Sequence, residues 1–318
     1  MRPARFARSL RSFFISLFPA PAPSSRQPFG GKSQSHLIAG FARTVRGLRL
    51  GGPMRVVLLV LSAVLSALFL DSSAAQQTAS SSTQASQLMQ QSLAALQGNT
   101  SISDITLTGT ARRIAGSGDE TGTGVFKAMV SGAGRMDLSL SSGQLGEVQN
   151  LTSTTPAGTW SGPDRISHPI AYHNLLAEPA WFFPAFAIAR RLSGSGFVAT
   201  YVGQETRNGH AVEHVSVSQT FSSKSASGAL LLQHLSQVDF FLDSATLLAS
   251  VITFNVHPDN DAGLDIPIEI RFSDYRPING AQVPFHVQKY MNNSLVLDFQ
   301  AETITLNSGL AASTFSAQ

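Results

Sequence analysis

Beyond Ile102 the chain is a succession of short runs in which apolar side chains recur at every second residue, and that period dictates a sheet. Ile105 and Leu107 alternate with Asp104, Thr106, Thr108 and Thr110, the pattern of a strand with one face buried. Runs of the same kind follow at Val125–Val130, Arg135–Leu140, Gly146–Leu151, Phe197–Val202, Val212–Val217, Val238–Leu242, Ser250–Val256, Ile266–Phe272, Val283–Tyr290 and Ser294–Thr305. Turn signals divide them: Gly116-Ser117-Gly118, Ser131-Gly132, Asn208-Gly209, Asp259-Asn260-Asp261, Asn279-Gly280 and Asn292-Asn293. Strands joined in sequence by short turns pair antiparallel with their neighbours. A sheet of about ten strands curls to bury one face. No repeat of fixed period is visible, which argues against a propeller or solenoid. The expected fold class is mainly β (α+β), a curved antiparallel meander.

Two segments break the pattern. Ala85–Leu96 sets Leu88, Met89, Leu93 and Leu96 at helical spacing, with Gly98 as a stop signal. The Ser/Thr/Gln-rich stretch Gln76–Gln84 before it reads as a linker. Ala171–Leu192 contains no glycine and gathers Trp181, Phe182, Phe183 and Phe186 beside Pro179 and Pro184. The prolines prevent one continuous helix, so two short helical or irregular pieces are expected. Its four aromatics can act in two ways: as a plug completing the core, or as an apolar lid over a groove. Both place the segment against the sheet and differ only in whether space is left for a ligand.

Upstream, Met54–Gln77 reads as a secretory signal that begins at an internal methionine. Arg55 supplies the positive start, Val56–Leu70 an apolar core of 15 residues, and Ser73-Ala74-Ala75 the small residues before cleavage at Gln76. Fifteen helical residues reach roughly 22 Å, short of a hydrocarbon core about 30 Å thick, although an uncleaved anchor is the alternative. Residues 1–53 hold eight Arg and one Lys with no acidic residue. A basic tail of this kind can bind nucleic acid or acidic lipid, and its composition also resembles a transit peptide. Yet Pro19, Pro21 and Pro23 break an amphipathic helix, and residues 1–53 are expected to be a mis-assigned upstream extension, disordered if translated.

Removing that region reverses the charge. From Gln76 onward the chain carries 12 basic and 18 acidic side chains, a formal charge of −6. A mildly acidic protein has no electrostatic footprint for nucleic acid. The chain has no cysteine, which excludes disulfides, thiolate nucleophiles, Cys-based metal centres and a lipid-attachment box. The expectation is a periplasmic or extracellular monomer with only transient membrane contact after signal cleavage. Its 243 residues from Gln76 suffice for one core.

Signatures of catalysis are lacking. There is no G-x-S-x-G elbow, phosphate-binding loop or H-E-x-x-H helix. His210 and His214 have the spacing of a helical metal pair, but on a strand four residues span about 13 Å, and Asn208-Gly209 marks them as hairpin residues. His168 and His173 flank Pro169 and could share a metal or simply pack a loop. Asp259, Asp261 and Asp265 faintly resemble a calcium loop, but Gly263 is out of place and no acidic residue occupies the twelfth position. No catalytic residue, cofactor or metal site is assigned, and a non-enzymatic protein is expected.

The C-terminal hairpins carry a resemblance. Phe272-Ser273-Asp274-Tyr275-Arg276, the turn Asn279-Gly280, Val283-Pro284 and the strand end Ile304…Leu306-Asn307 are similar to the closing hairpins of the LolA-like superfamily. That superfamily includes periplasmic lipoprotein carriers, RseB/MucB-type stress regulators and mycobacterial lipid-binding lipoproteins. The helix Ala85–Leu96 leading into the strand Ile102–Ala111 fits, as does Val238–Asp243, a strand ending in Asp before a loop. The resemblance implies that residues 85–318 form a half-barrel wrapped over helices, with an apolar concavity for acyl chains. The 22-residue aromatic insertion departs from the carriers. Two functions follow as expectations. One is a binder of a lipid or acyl chain, with Trp181, Phe182, Phe183 and Phe186 as an apolar lid. The other is an interaction or envelope-stress-sensing module that docks an envelope protein. An apolar cavity of at least about 300 Å³ beneath the aromatics would favour the first. A filled concavity with an exposed apolar patch elsewhere would favour the second.

Overall fold

The strands form two meanders that meet in one antiparallel sheet. The computed structural model describes residues 81–152 and 156–316; the basic leader, the signal Met54–Gln77 and residues 76–80 of the expected linker lie outside the described residues. The first meander comprises β1 (Asp104–Ala115), β2 (Gly118–Met129), β3 (Ala133–Leu140), β4 (Gly143–Asn150), β5 (Ala157–Ser161) and β6 (Ser167–Pro169). The second comprises β7 (Phe197–Arg207), β8 (His210–Gln219), β9 (Val238–Asp243), β10 (Ala249–Val256), β11 (Ile266–Ile278), β12 (Ala281–Met291) and β13 (Ser294–Leu306). Pairing of β13 with β1 fuses them into 13 strands in the order β6-β5-β4-β3-β2-β1-β13-β12-β11-β10-β9-β8-β7. The sheet is open, with β6 and β7 as its edges, and curls into a half-barrel around a core on its inner face.

Local chemistry explains the hairpins. Asn208-Gly209, Asn279-Gly280 and Asn292-Asn293 all have positive φ at both positions, as two-residue turns matched to strand twist require. Alternation then sorts the faces: Ile105, Leu107 and Ala111 are buried inward with Phe126, Ala128, Ile252, Phe254, Ile268, Ile270, Val287 and Phe299. Asp104 ties the ends of the sheet's central pair together. Its carboxylate accepts from the Ser308 N–H and hydroxyl, both at 2.8 Å, and from the Gly309 N–H at 3.1 Å.

A helix α1 (residues 81–97) lies against the inner face through Ala85, Met89 and Leu96, with Leu88 and Leu93 packed beside them. It begins earlier than the spacing of leucines indicates. Residues 81–84, expected in the linker, form its first turn, and the Ser81 hydroxyl donates to the Tyr201 carbonyl at 2.9 Å. Gly98 ends it at φ +55, where a β-carbon would also strike the Gly280 carbonyl oxygen.

Three elements have no counterpart in the sequence reading. β5 and β6 are short, and β6 is an edge strand that includes Pro169, which alternation does not reveal. The helix α3 (Ala226–Leu235) contains Gly228 and a run of three leucines without clear helical spacing; its cap is the Ser225 side chain, which accepts from the Gly228 N–H at 3.1 Å. Among the described residues no helix is long and apolar enough to cross a membrane.

Candidate functional site

The chain must travel from edge strand β6 to edge strand β7, and it does so through the core. A 3₁₀ turn (Tyr172–Leu176) leads into an irregular stretch and then α2 (Pro184–Ser193), which starts on Pro184, where a missing N–H costs nothing. The prolines divide the segment as the sequence indicates. Trp181, Phe182, Phe183 and Phe186 are 3%, 1%, 0% and 1% exposed. Phe126 from β2 lies 5.1 Å from Phe182, 5.8 Å from Trp181 and 4.3 Å from Phe299 of β13, centroid to centroid. Phe183 and Phe186 meet edge to face at 4.8 Å. Lys289 holds its ammonium 4.5 Å from the centre of the Trp181 ring.

The entry of this segment relies on a glycine. A β-carbon on Gly134 of β3 would sit 2.0 Å from the Pro179 carbonyl oxygen, so only a bare strand lets the crossing chain lie this close. At the other end a buried ion pair fastens the segment to itself. Arg191 donates through Nη1 to the Glu178 carboxylate and, at 3.1 Å, to the Ala187 carbonyl; both ionic side chains are 1% exposed. Arg190 approaches the same carboxylate at 3.5 Å and donates to the Ala177 carbonyl at 3.2 Å. Burial, partly offset by Glu178, pushes the Arg191 guanidinium down to about 10, still charged at neutral pH. Its Nε and Nη2 find no hydrogen-bond partner, so the pair is only partly satisfied.

A pocket of about 260 Å³ lies elsewhere, lined by Arg207, His234, Asp239, Thr253, Asn255 and Glu269 among others, and by none of the four aromatics. Arg207, Asp239, Thr253 and Glu269 stand on the strand face that carries the small buried cluster Val212, Phe241 and Val251, His234 comes from α3, and the inward-facing Phe254 and Ile268 also border the pocket. Arg207 stacks 3.8 Å over the Phe241 ring and pairs with Glu269 at 2.8 Å, while His214 contacts Asp239 at 3.2 Å. Burial works to raise the Asp239 carboxyl, but the bonds from His214, Ser216 and Gln237 outweigh it and hold it below the usual carboxylate range.

The remaining candidates find separate roles. His210 is exposed at the β7–β8 turn, and His214 is the partner of Asp239 four positions along. His168 stacks on Trp160 at 4.4 Å, and His173 contacts the Pro258 carbonyl at 3.1 Å. In the stretch resembling a calcium loop, Asp261 turns back to accept from the Gly263 N–H, and Asp265 accepts from two imidazoles distant in sequence spacing, His234 and His257. Two residues of the stretches that carry the resemblance have local tasks too: Tyr275 donates to the Ala249 carbonyl at 2.6 Å, and Asp243 accepts from the Thr246 N–H at 2.8 Å to turn the chain after β9.

No protein-family model and no curated protein matches the chain. Solved structures similar to it include a domain described as outer-membrane lipoprotein-sorting from Vibrio parahaemolyticus, 12% identical, covering 74% of this chain and 97% of that one at a TM-score of 0.48. A LolA superfamily protein from Nitrosomonas europaea and a DUF1329 family protein from Desulfovibrio piger are each 9% identical, covering 73% and 97% of the respective chains at a TM-score of 0.46. Likenesses this distant carry no ligand, partner or residue role to this chain.

Proposed function

We propose that this chain is a non-enzymatic, secreted or periplasmic binding protein that takes an apolar ligand, a lipid or acyl chain, on the inner face of its half-barrel. The carrying observation is the nature of the filling. The centre of the inner face is occupied by one local segment, Glu178–Arg191, which joins two sheet edges without pairing into the sheet. Moving it aside breaks no strand ladder and uncovers Phe126, Phe299 and the apolar rows of β1, β12 and β13. The incompletely satisfied Glu178–Arg191 pair supports such motion, since a buried charge pair gains much of its solvation back on opening. In this reading Trp181, Phe182, Phe183 and Phe186 are a closed lid that an acyl chain replaces contact for contact.

A second reading is favoured by a different observation. The four rings leave the concavity filled, while Leu230, Leu231 and Leu264 are 66%, 42% and 54% exposed near one end of the sheet. Those are the features of a module that docks an envelope protein rather than holding a lipid. Organic extraction of protein purified from the cell envelope, followed by lipid mass spectrometry, separates the two. One equivalent of a lipid supports the binder, and stoichiometric absence of lipid supports the module.

A further inference from the structure

At one end of the sheet, three elements converge on a pair of imidazoles and a carboxylate. His234 sits in the last turn of α3, His257 just beyond β10 and Asp265 just before β11. Asp265 Oδ1 lies 2.9 Å from His234 Nε2 and 3.0 Å from His257 Nε2, and one ligand atom from each of the three falls within 4.8 Å of the others.

We propose that His234, His257 and Asp265 form a zinc site. Two imidazoles and a carboxylate are a common donor set for Zn²⁺, leaving a fourth position for water or a ligand group. Bonds of about 2.0–2.1 Å in tetrahedral array put donor atoms roughly 3.4 Å apart, so an ion needs shifts of about 0.5 Å at the two Asp265 contacts and of up to about 1.4 Å between the imidazole nitrogens. The two exposed ligands, 45% and 43% exposed on their side chains, can make that shift. The third is fixed. The His257 side chain is 1% exposed, and its backbone is clamped by one side chain: the His257 N–H donates to Asn174 Oδ1 at 2.8 Å, and Asn174 Nδ2 donates to the His257 carbonyl at 2.9 Å.

One buried, fixed member beside two exposed ones sets this cluster apart from an ordinary surface ion pair. The ion would pin α3 to the connection between β10 and β11. It would also sit beside the pocket that Arg207 and Glu269 line, since His234 lines both.

The test uses the intact protein without a polyhistidine tag. Zn²⁺ is titrated calorimetrically, and Co²⁺ is titrated as a spectroscopic probe of coordination number. The expected result is one ion per chain, intense visible Co²⁺ bands of a four-coordinate site, and a melting temperature raised by Zn²⁺. His234→Ala and Asp265→Asn, both at exposed positions, should each weaken binding by at least about tenfold and abolish the thermal shift, with His210→Ala unchanged as the control. Absence of a stoichiometric site, or equal affinity in the wild type and both variants, overturns the proposal. Lipid content plays no part in these readouts, so they stand or fall separately from the acyl-binding reading.

Discussion

Replacing Trp181 with Ala probes the packing on which the account rests. The indole is 3% exposed, meets Phe182 edge-on at 5.5 Å and Phe126 at 5.8 Å, and takes the Lys289 ammonium 4.5 Å above its ring. Large-to-small changes at a fully packed aromatic cost about 3–5 kcal/mol through lost transfer energy and the cavity left behind. Edge-to-face pairs add about 0.5–1.5 kcal/mol beyond area, which places Trp181→Ala in the upper half of that range. Urea unfolding followed by far-ultraviolet circular dichroism measures it, with the slope compared to the wild type so that a shifted midpoint reads as stability. Trp160 remains as an independent fluorescent reporter in the variant. A loss of only about 1–2 kcal/mol at unchanged slope, the ordinary range for point mutants, would show that the ring is loosely held and refute the packing argument.

Further outcomes follow from the same geometry. Glu178→Ala strands a buried guanidinium and should cost about 3–5 kcal/mol, whereas replacing Glu178 and Arg191 together by apolar residues of similar size should be neutral or stabilising; thermal and urea melts decide. Gly134→Ala forces the Pro179 carbonyl away from β3, so amide exchange should accelerate in residues 180–188 more than in β1 or β13, and uniform acceleration would contradict a separable cover. Asp104→Ala should cost about 1.5–3 kcal/mol at neutral pH. Burial works to raise the Asp104 carboxyl, but the bonds from Ser308, Ser103 and Gly309 outweigh it and hold it below its unfolded value near 3.9. Its contribution is therefore complete above that unfolded value and disappears as pH falls through the folded one, so the gap between wild type and variant should close in acid; a gap independent of pH would contradict the assignment.

Period and turn chemistry made most of the sheet legible. The Asn-Gly and Asn-Asn turns occur where positive φ is required, and the alternation of Ile105 and Leu107 with threonines assigns the correct face. The two prolines predicted the division of the aromatic segment. Short elements were harder: β6 is three residues with a proline, and α3 has leucines in a row rather than at helical intervals. The junction of β1 with β13 links the two ends of the domain, and no local pattern encodes so distant a pairing. Side-chain constellations were least legible. Glu178 and Arg191 lie 13 residues apart across a proline-broken turn, and His234 and His257 lie 31 and 8 residues from Asp265. Such sites are assembled by topology, and spacing in sequence does not announce them.

The central claim is that the inner face takes an acyl chain when the aromatic segment moves aside. Titration of a fluorescent fatty acid into the folded protein, read by energy transfer from tryptophan, tests it most directly. Saturable binding of one probe per chain, reversed by unlabelled fatty acid and accompanied by faster amide exchange at Trp181–Phe186, is the predicted result. Failure of the folded protein to bind the probe saturably would contradict the claim and leave a filled half-barrel that works through its surface.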